Sequence, residues 1–349
     1  MDTKHTGNTR RHALKVGAVA AGALIASPYI ARAQTMDAVK LALEFRIYGG
    51  NAPSFYAAET GIYKDLGLTV TPDGSSGSGE AITRVASGAY EFGLADASAV
   101  VEFAGRNPDS APRIIMPIFD VFPAVVLSLK RKPIKKLQDL VGAKLGTGTA
   151  DAGSKILPAL LALNKIDPKS VNRSTIDVKL RDTLLLKGDV DAVIAFDYTA
   201  IFNLMDNGLA LDDINLLYFA DFGFNFFGNS LIASQDMIKN KPDVVKRMAV
   251  AIARSWVQAA KNRDAAIEAV LKRDKLLNPK IERARMDWVI DKLIRTVNVK
   301  KNGLGAFDMK RMEDSIATLS SGLELPNKVT PEILFDGRFM PAQSERMIG

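Results

Sequence analysis

Between residues 39 and 233 short apolar runs of strand length alternate with segments of helical period. This alternation restricts the chain to α/β architectures in which helices cover both faces of a parallel sheet. The first series runs Val39 to Phe45, Pro53 to Thr60, Leu68 to Thr71, Glu80 to Ser87, Phe92 to Ala95, Ser98 to Ala104 and Arg113 to Phe119, and Ala124 to Leu129 adds a strand. The polar Lys130-Arg131-Lys132-Pro133 then breaks the rhythm, and a first crossing between lobes is expected there. A second series comes next: Lys144 to Gly148, Ser154 to Asn164, Ser174 to Val178, Arg181 to Lys187, Ala192 to Phe196, Thr199 to Asn207 and Ile214 to Phe219. Asn229 to Ala233 reads as the returning strand, and the remainder of the chain is almost wholly helical. Apolar stripes mark that tail: Val244, Val245, Met248, Ile252, Trp256 and Ala259; Met286, Val289, Ile290, Leu293, Ile294 and Val297; Met309, Met312, Ile316 and Leu319. Such stripes are core faces.

The first thirty-three residues read differently. Thr9-Arg10-Arg11 precedes a Gly- and Ala-rich apolar run from Val16 to Ile30, which ends in Ala31-Arg32-Ala33 before Gln34. This is the pattern of an export leader of the twin-arginine type, and Arg32 beside the cut fits that route. The run holds 15 residues, including Gly17, Gly22 and Pro28, short of the roughly 20 that a spanning helix needs. His5 and His12 are the only histidines and there is no cysteine, so the part after the leader has neither. Ser-His-Asp and Cys-His hydrolysis, zinc sites built on His or Cys, disulfides and thiol redox are thereby excluded, leaving Ser/Lys dyads and paired carboxylates as formal options. Lys4, Arg10, Arg11, Lys15 and Arg32 against Asp2 give the leader +4 of the chain's +7. The remaining +3 gives no electrostatic motive for nucleic-acid binding. No cofactor or metal is expected. About 316 residues after the leader suit two lobes rather than one core.

Several stretches resemble a known group. They are Leu43-Glu44-Phe45; Ala52-Pro53-Ser54-Phe55-Tyr56-Ala57-Ala58-Glu59-Thr60-Gly61-Ile62-Tyr63-Lys64-Asp65-Leu66-Gly67-Leu68; Gly74-Ser75-Ser76-Gly77-Ser78-Gly79; Ala86-Ser87-Gly88-Ala89-Tyr90-Glu91-Phe92-Gly93; and Leu137-Gln138-Asp139-Leu140-Val141-Gly142-Ala143-Lys144-Leu145-Gly146. Together they resemble type II periplasmic solute-binding proteins of the group that takes nitrate, sulfonates, taurine or the thiamine pyrimidine precursor. The resemblance implies a two-lobed type II periplasmic binding protein fold with a helical C-terminal segment, a leader over 1–33, lobe 1 over 36–127 and 230–345, and lobe 2 over 128–229. It also implies a monomer that hands a small molecule to an ABC permease and ATPase from the periplasm and catalyses nothing. Eukaryotic relatives that make the thiamine pyrimidine need a histidine and a cysteine-rich motif, both absent from the part of this chain after the leader.

Candidate binding residues are set by where strands end. Helices that begin at the carboxyl rim of an α/β sheet present unpaired N–H groups and a positive dipole end. One loop, Gly74 to Gly79 with Ser75, Ser76 and Ser78, feeds the helix at Glu80; another, Thr147 to Gly153 with Thr149 and Gly153, feeds the helix at Ser154. Neither has the ending of a phosphate loop. Aspartates come after four apolar strands, Asp96, Asp120, Asp197 and Asp221, and aromatic residues stand beside three of them, among them Phe119, Phe196 and Tyr198. Carboxylates accept from amino groups and aromatic faces stack on flat rings, so an amino-bearing heteroaromatic is the expected ligand. Arg46, with Tyr48 near it, supplies the opposing expectation of a clamp for a sulfonate- or nitrate-like anion.

Overall fold

The computed structural model describes residues 36–349, so the leader expected over 1–33 lies outside the described residues. The first lobe opens with β1 (Asp37–Ala42), α1 (Ala52–Glu59), α2 (Ile62–Asp65), β2 (Leu68–Asp73), α3 (Ser78–Ala86), β3 (Phe92–Asp96), α4 (Ala97–Arg106) and β4 (Arg113–Pro117). The second lobe comprises β5 (Ala124–Leu129), β6 (Leu145–Thr147), α5 (Ala152–Leu163), β7 (Arg173–Thr175), α6 (Arg181–Lys187), β8 (Ala192–Phe196), α7 (Asp197–Asp206) and β9 (Ile214–Tyr218). The chain then continues through β10 (Asn229–Ala233), α8 (Gln235–Asn240), α9 (Pro242–Lys261), α10 (Arg263–Arg273), α11 (Pro279–Trp288), α12 (Val297–Asn302), α13 (Met309–Gly322) and α14 (Pro331–Leu334).

Two five-stranded sheets result, ordered β2-β1-β3-β10-β4 and β7-β6-β8-β5-β9. Neither is all-parallel as the alternation predicted. The strand β10 runs antiparallel between β3 and β4, with Asn229 opposite Asp96, and β5 runs antiparallel between β8 and β9. Those two strands are where the chain enters each sheet from the other. The central strands β3, β5, β8 and β10 are buried at every position, which is why they read as continuous apolar runs rather than alternating ones.

One boundary expectation is corrected. The sequence rhythm puts the strand Ala124–Leu129 in lobe 1 as far as Leu127, with the crossing at Lys130 to Pro133, but it pairs with β8 and β9 in the second sheet. The crossing therefore precedes it, at Asp120 to Pro123, where no run of charge or glycine signals it. An apolar strand such as AVVLSL needs neighbours on both edges, and β8 and β9 provide them.

The tail does not belong to one lobe. The helix α9 buries Val244, Val245, Met248, Ile252, Trp256 and Ala259 against the first lobe as its spacing predicts. In contrast, α11 packs on both α7 and the Gly49–Asn51 turn, and α13 packs on both α4 and α5. Val297 and Met309, read as core, are exposed. Each is the first residue of its helix, where the stripe runs off the packed face.

Candidate functional site

The site forms where β1, α3, α5, α6 and β8 meet between the sheets. Past the end of β1 the chain carries Leu43, Glu44 and Phe45, and the loop before α3 is tied to it: the Ser75 hydroxyl donates to the Leu43 carbonyl (2.6 Å) and the Ser75 N–H to that of Phe45 (3.1 Å). Ser76 donates from both its N–H and its hydroxyl to Glu80 (2.7 and 2.5 Å), which also pairs with Arg84. Ser78 begins α3, and its hydroxyl accepts from the N–H of Asp96 at 3.1 Å. Asp96 in turn caps α4 through Ser98.

From the second lobe, Asp151 caps α5 by accepting from the Ser154 N–H (3.1 Å) and hydroxyl (2.6 Å), while Ser154 accepts from the Gly148 N–H (3.1 Å). Arg181, the first residue of α6, is only 4% exposed; its Nε donates to Asp182 at 3.0 Å and its Nη2 reaches Thr199 at 3.5 Å. Its Nη1 has no hydrogen-bond partner among the described residues. Phe196, Tyr198 and Thr199 come from the end of β8 and the first turn of α7.

These residues enclose a cavity lined by Glu44, Phe45, Ser76, Gly77 and Ser78 on one side and Asp151, Ala152, Val178, Arg181, Phe196, Tyr198 and Thr199 on the other. Its free space is 20 Å³, measured as room for the centre of a water molecule. That holds about one or two waters. A ring-sized molecule needs more room than that. The two loops in fact touch: the Gly79 N–H donates to the Ala150 carbonyl at 3.0 Å, and a Cβ on Gly77 would lie 2.5 Å from that same oxygen.

Buried carboxyls dominate the electrostatics. Glu44 is 3% exposed; Tyr48 donates to its Oε1 at 2.7 Å, and Oε2 has no partner. Burial pushes this carboxyl up to about 7, against the lowering pull of the Tyr48 hydroxyl. Burial likewise raises Asp96 to about 7, with the charge of Asp151 adding to it, and Asp96 Oδ2 is also unpartnered. Asp151 is raised by burial too, with Ser154 and Arg181 opposing.

Of the residues expected from sequence, Ser76, Ser78, Phe196 and Tyr198 line the cavity, and Asp96 and Ser154 stand one hydrogen bond behind it. Ser75 faces backbone carbonyls instead. Gly153 packs on Ile194 and Ala124, and Thr149 is exposed. Tyr48 lies behind the cavity, stacked on Tyr198 at 6.0 Å, and the Phe119 ring meets Tyr198 edge-on at 5.6 Å.

Three of the four aspartates expected to touch ligand are placed elsewhere. Asp120 binds Arg311 at 3.1 Å and also receives Thr296 and Asn298, pinning the tail at the crossing. Asp197 points away into a buried cluster, accepting from Trp288 (3.0 Å) and Tyr218 (3.2 Å), and burial raises it to about 6. Asp221 is exposed. A strand-end carboxylate turns to whichever donors are nearest, and here those are tail and sheet residues. Arg46 is also redirected: it donates across the lobes to Asn203 at 2.6 Å rather than into the cavity.

Glu44, Asp151, Arg181 and Thr199 were not foreseen. Arg181 had a signal, since a cation at a helix start opposes the helix dipole and needs another reason to be there. Glu44 had one too, as a charge closing an apolar strand.

A second arrangement joins the lobes beside the cavity. The Glu282 carboxylate accepts from the Gly49 N–H at 2.5 Å and holds Arg285 at 2.9 Å. Arg285, 2% exposed, donates to the carbonyls of Tyr198 (2.8 Å) and Thr199 (3.1 Å) and to Asn203 (3.1 Å), with its guanidinium 5.2 Å from the centre of the Tyr48 ring. Thus α11 ties the first-lobe turn to α7.

Known structures of this shape include a protein of Bordetella bronchiseptica RB50, 20% identical over 86% of this chain and 95% of its own, with a TM-score of 0.65. Two others are the alkanesulfonate-binding protein SsuA of Xanthomonas axonopodis pv. citri bound to MOPS (11% identical, 85% of this chain and 98% of that one, TM-score 0.65) and the periplasmic aliphatic sulphonate binding protein SsuA of Escherichia coli (12%, 87% and 94%, TM-score 0.65). At these identities the likeness establishes the two-lobed periplasmic binding protein fold. No curated protein matches the chain in sequence. The sequence model of the NMT1/THI5-like family matches residues 50–266, from the turn before α1 into α10. With well over half of its length inside that match, the chain belongs to the NMT1/THI5-like family.

Proposed function

We propose that the protein is the solute-binding component of an ABC importer, exported by the twin-arginine route to the periplasm and acting there as a monomer. It captures a small planar polar solute between its lobes, for which an amino-substituted pyrimidine or similar heteroaromatic is the first reading. The observation that carries this is the cavity itself: Phe196 and Phe45 supply aromatic surface, Glu44 supplies a buried acceptor without a partner, and the starts of α3 and α5 converge from opposite lobes. The sulfonate-binding proteins of the same fold and the Arg181 guanidinium in the cleft favour a second reading, an organic anion such as a sulfonate.

Binding closes the lobes and leaves the solute unchanged. The part of the chain after the expected leader contains no histidine or cysteine to serve as general base or nucleophile. Calorimetric titration with 4-amino-2-methylpyrimidine and with ethanesulfonate, paired with X-ray scattering in solution, tests the reading. Saturable binding accompanied by compaction is expected for at least one of them, with the compound recovered intact. Conversion of either to a product would show an enzyme instead.

A further inference from the structure

The cavity holds opposite charges at separate points, and neither ligand reading uses both. On the first-lobe side Glu44 is buried with Oε2 unpartnered. On the second-lobe side Arg181 is buried with Nη1 unpartnered among the described residues, its other bonds going to Asp182 and Thr199. An anion alone would meet Arg181 but would also be shut in with Glu44 and Asp151, and with Asp96 behind Ser78. A neutral amine alone would satisfy Glu44 but offer the Arg181 guanidinium in the opposite wall no acceptor. Either mismatch is costly in a desolvated site.

We infer that the solute is amphoteric, a single small molecule whose amino or amidine nitrogen donates to Glu44 while an acidic oxygen group accepts from Arg181. This rests on the solute-binding reading above and narrows its substrate class. Each end is fixed by a different lobe, so only a molecule carrying both groups bridges the cleft and rewards its closure. The N–H groups at the starts of α3 and α5 are already engaged, in part, by Glu80, Asp151 and Ala150. The two side chains therefore carry the discrimination.

The test uses two matched series on the full-length mature protein. One is 4-amino-2-methylpyrimidine-5-carboxylate with its two halves, 4-amino-2-methylpyrimidine and pyrimidine-5-carboxylate; the other is 2-aminoethanesulfonate with ethylamine and ethanesulfonate. In at least one series the bifunctional compound should bind about ten-fold or more tightly than either half. Glu44→Gln should erase the margin over the acid half, and Arg181→Gln the margin over the amine half, in variants whose thermal unfolding remains cooperative. The comparison of compounds on the unaltered protein stands even if a variant fails to fold. If an acid half alone binds as tightly as its bifunctional parent and compacts the lobes, the solute-binding reading stands and this inference falls. If no member of either series binds, both fall.

Discussion

The N–H of Gly79, in the first turn of α3, donates across the cleft to the carbonyl of Ala150, in the loop before α5, at 3.0 Å. A helix N-terminus that awaits an acceptor is here met by the opposite lobe. Gly77 makes the approach possible. Its φ of 154° lies outside the range comfortable for other residues, and a Cβ there would sit 2.5 Å from the same carbonyl. Gly77→Ala should therefore oppose the closed form more than the open one. Overpacking of this kind costs about 1–3 kcal/mol, so scattering of the solute-free protein should show a more expanded form than wild type. An unchanged scattering profile would mean the loops adjust without parting.

The link through α11 gives a second expectation. Arg285 is buried, pairs with Glu282 and holds two carbonyls of α7, so Arg285→Ala strands a carboxylate and leaves those oxygens without their donor. Breaking a buried pair from one side costs about 3–5 kcal/mol. Urea unfolding should show a loss of that order, whereas removing an exposed pair such as Lys310 with Asp314 should leave the midpoint nearly unchanged.

Asp120 and Asp197 now predict stability effects rather than binding effects. Asp120→Ala leaves Arg311 without its carboxylate at the lobe crossing, and should destabilise by about 3–5 kcal/mol. Asp197→Ala strands the Trp288 and Tyr218 donors, a loss of about 1–3 kcal/mol. Solute affinity measured well below the unfolding transition should barely move. A large affinity loss at full folding would return these residues to the site.

The buried carboxyls set a pH dependence. Glu44 and Asp96 titrate near 7 and Asp197 near 6 in the folded protein, each raised chiefly by burial, against about 4 in the unfolded chain. Between those values the folded state binds more protons than the unfolded, so stability falls as pH rises. The contribution is fully present below about pH 4 and lost by about pH 7, with about 3–4 kcal/mol per group at stake as an upper bound for shifts of this size. Thermal unfolding of wild type and Glu44→Gln from pH 4 to 8 checks the sign: the variant, which never ionises, should gain on wild type as pH rises. A difference that runs the other way would show that Glu44 is ionised and stabilising in the closed cleft.

Much of this was legible in the chain. Strand-helix alternation placed most of the elements, because local period and turn chemistry fix them. The loops around Ser76 and Thr147 to Gly153 were visible as helix starts at strand ends, and Ser78, Phe196 and Tyr198 do reach the cavity. What was hidden depends on partners distant in sequence. Asp120 looked free until Arg311, 191 residues later, arrived beside it. Asp197 turned toward Trp288, and Arg46 toward Asn203. The β5 strand looked like the end of the first series because nothing local records that its edges belong to β8 and β9. Arg181 was passed over as an ordinary helix residue, although a cation at that position was the sequence's strongest hint of an acidic group nearby.

The most direct measurement is native mass spectrometry of the protein isolated from its own cells without denaturation, for wild type and Arg181→Gln side by side. The wild type should carry one intact small molecule per chain that contains both a basic nitrogen and an acidic group, and Arg181→Gln should come out bare. A wild-type spectrum with no retained molecule, in a protein that also fails to compact with any compound of the two series, would contradict the assignment of this cleft as a solute-binding site.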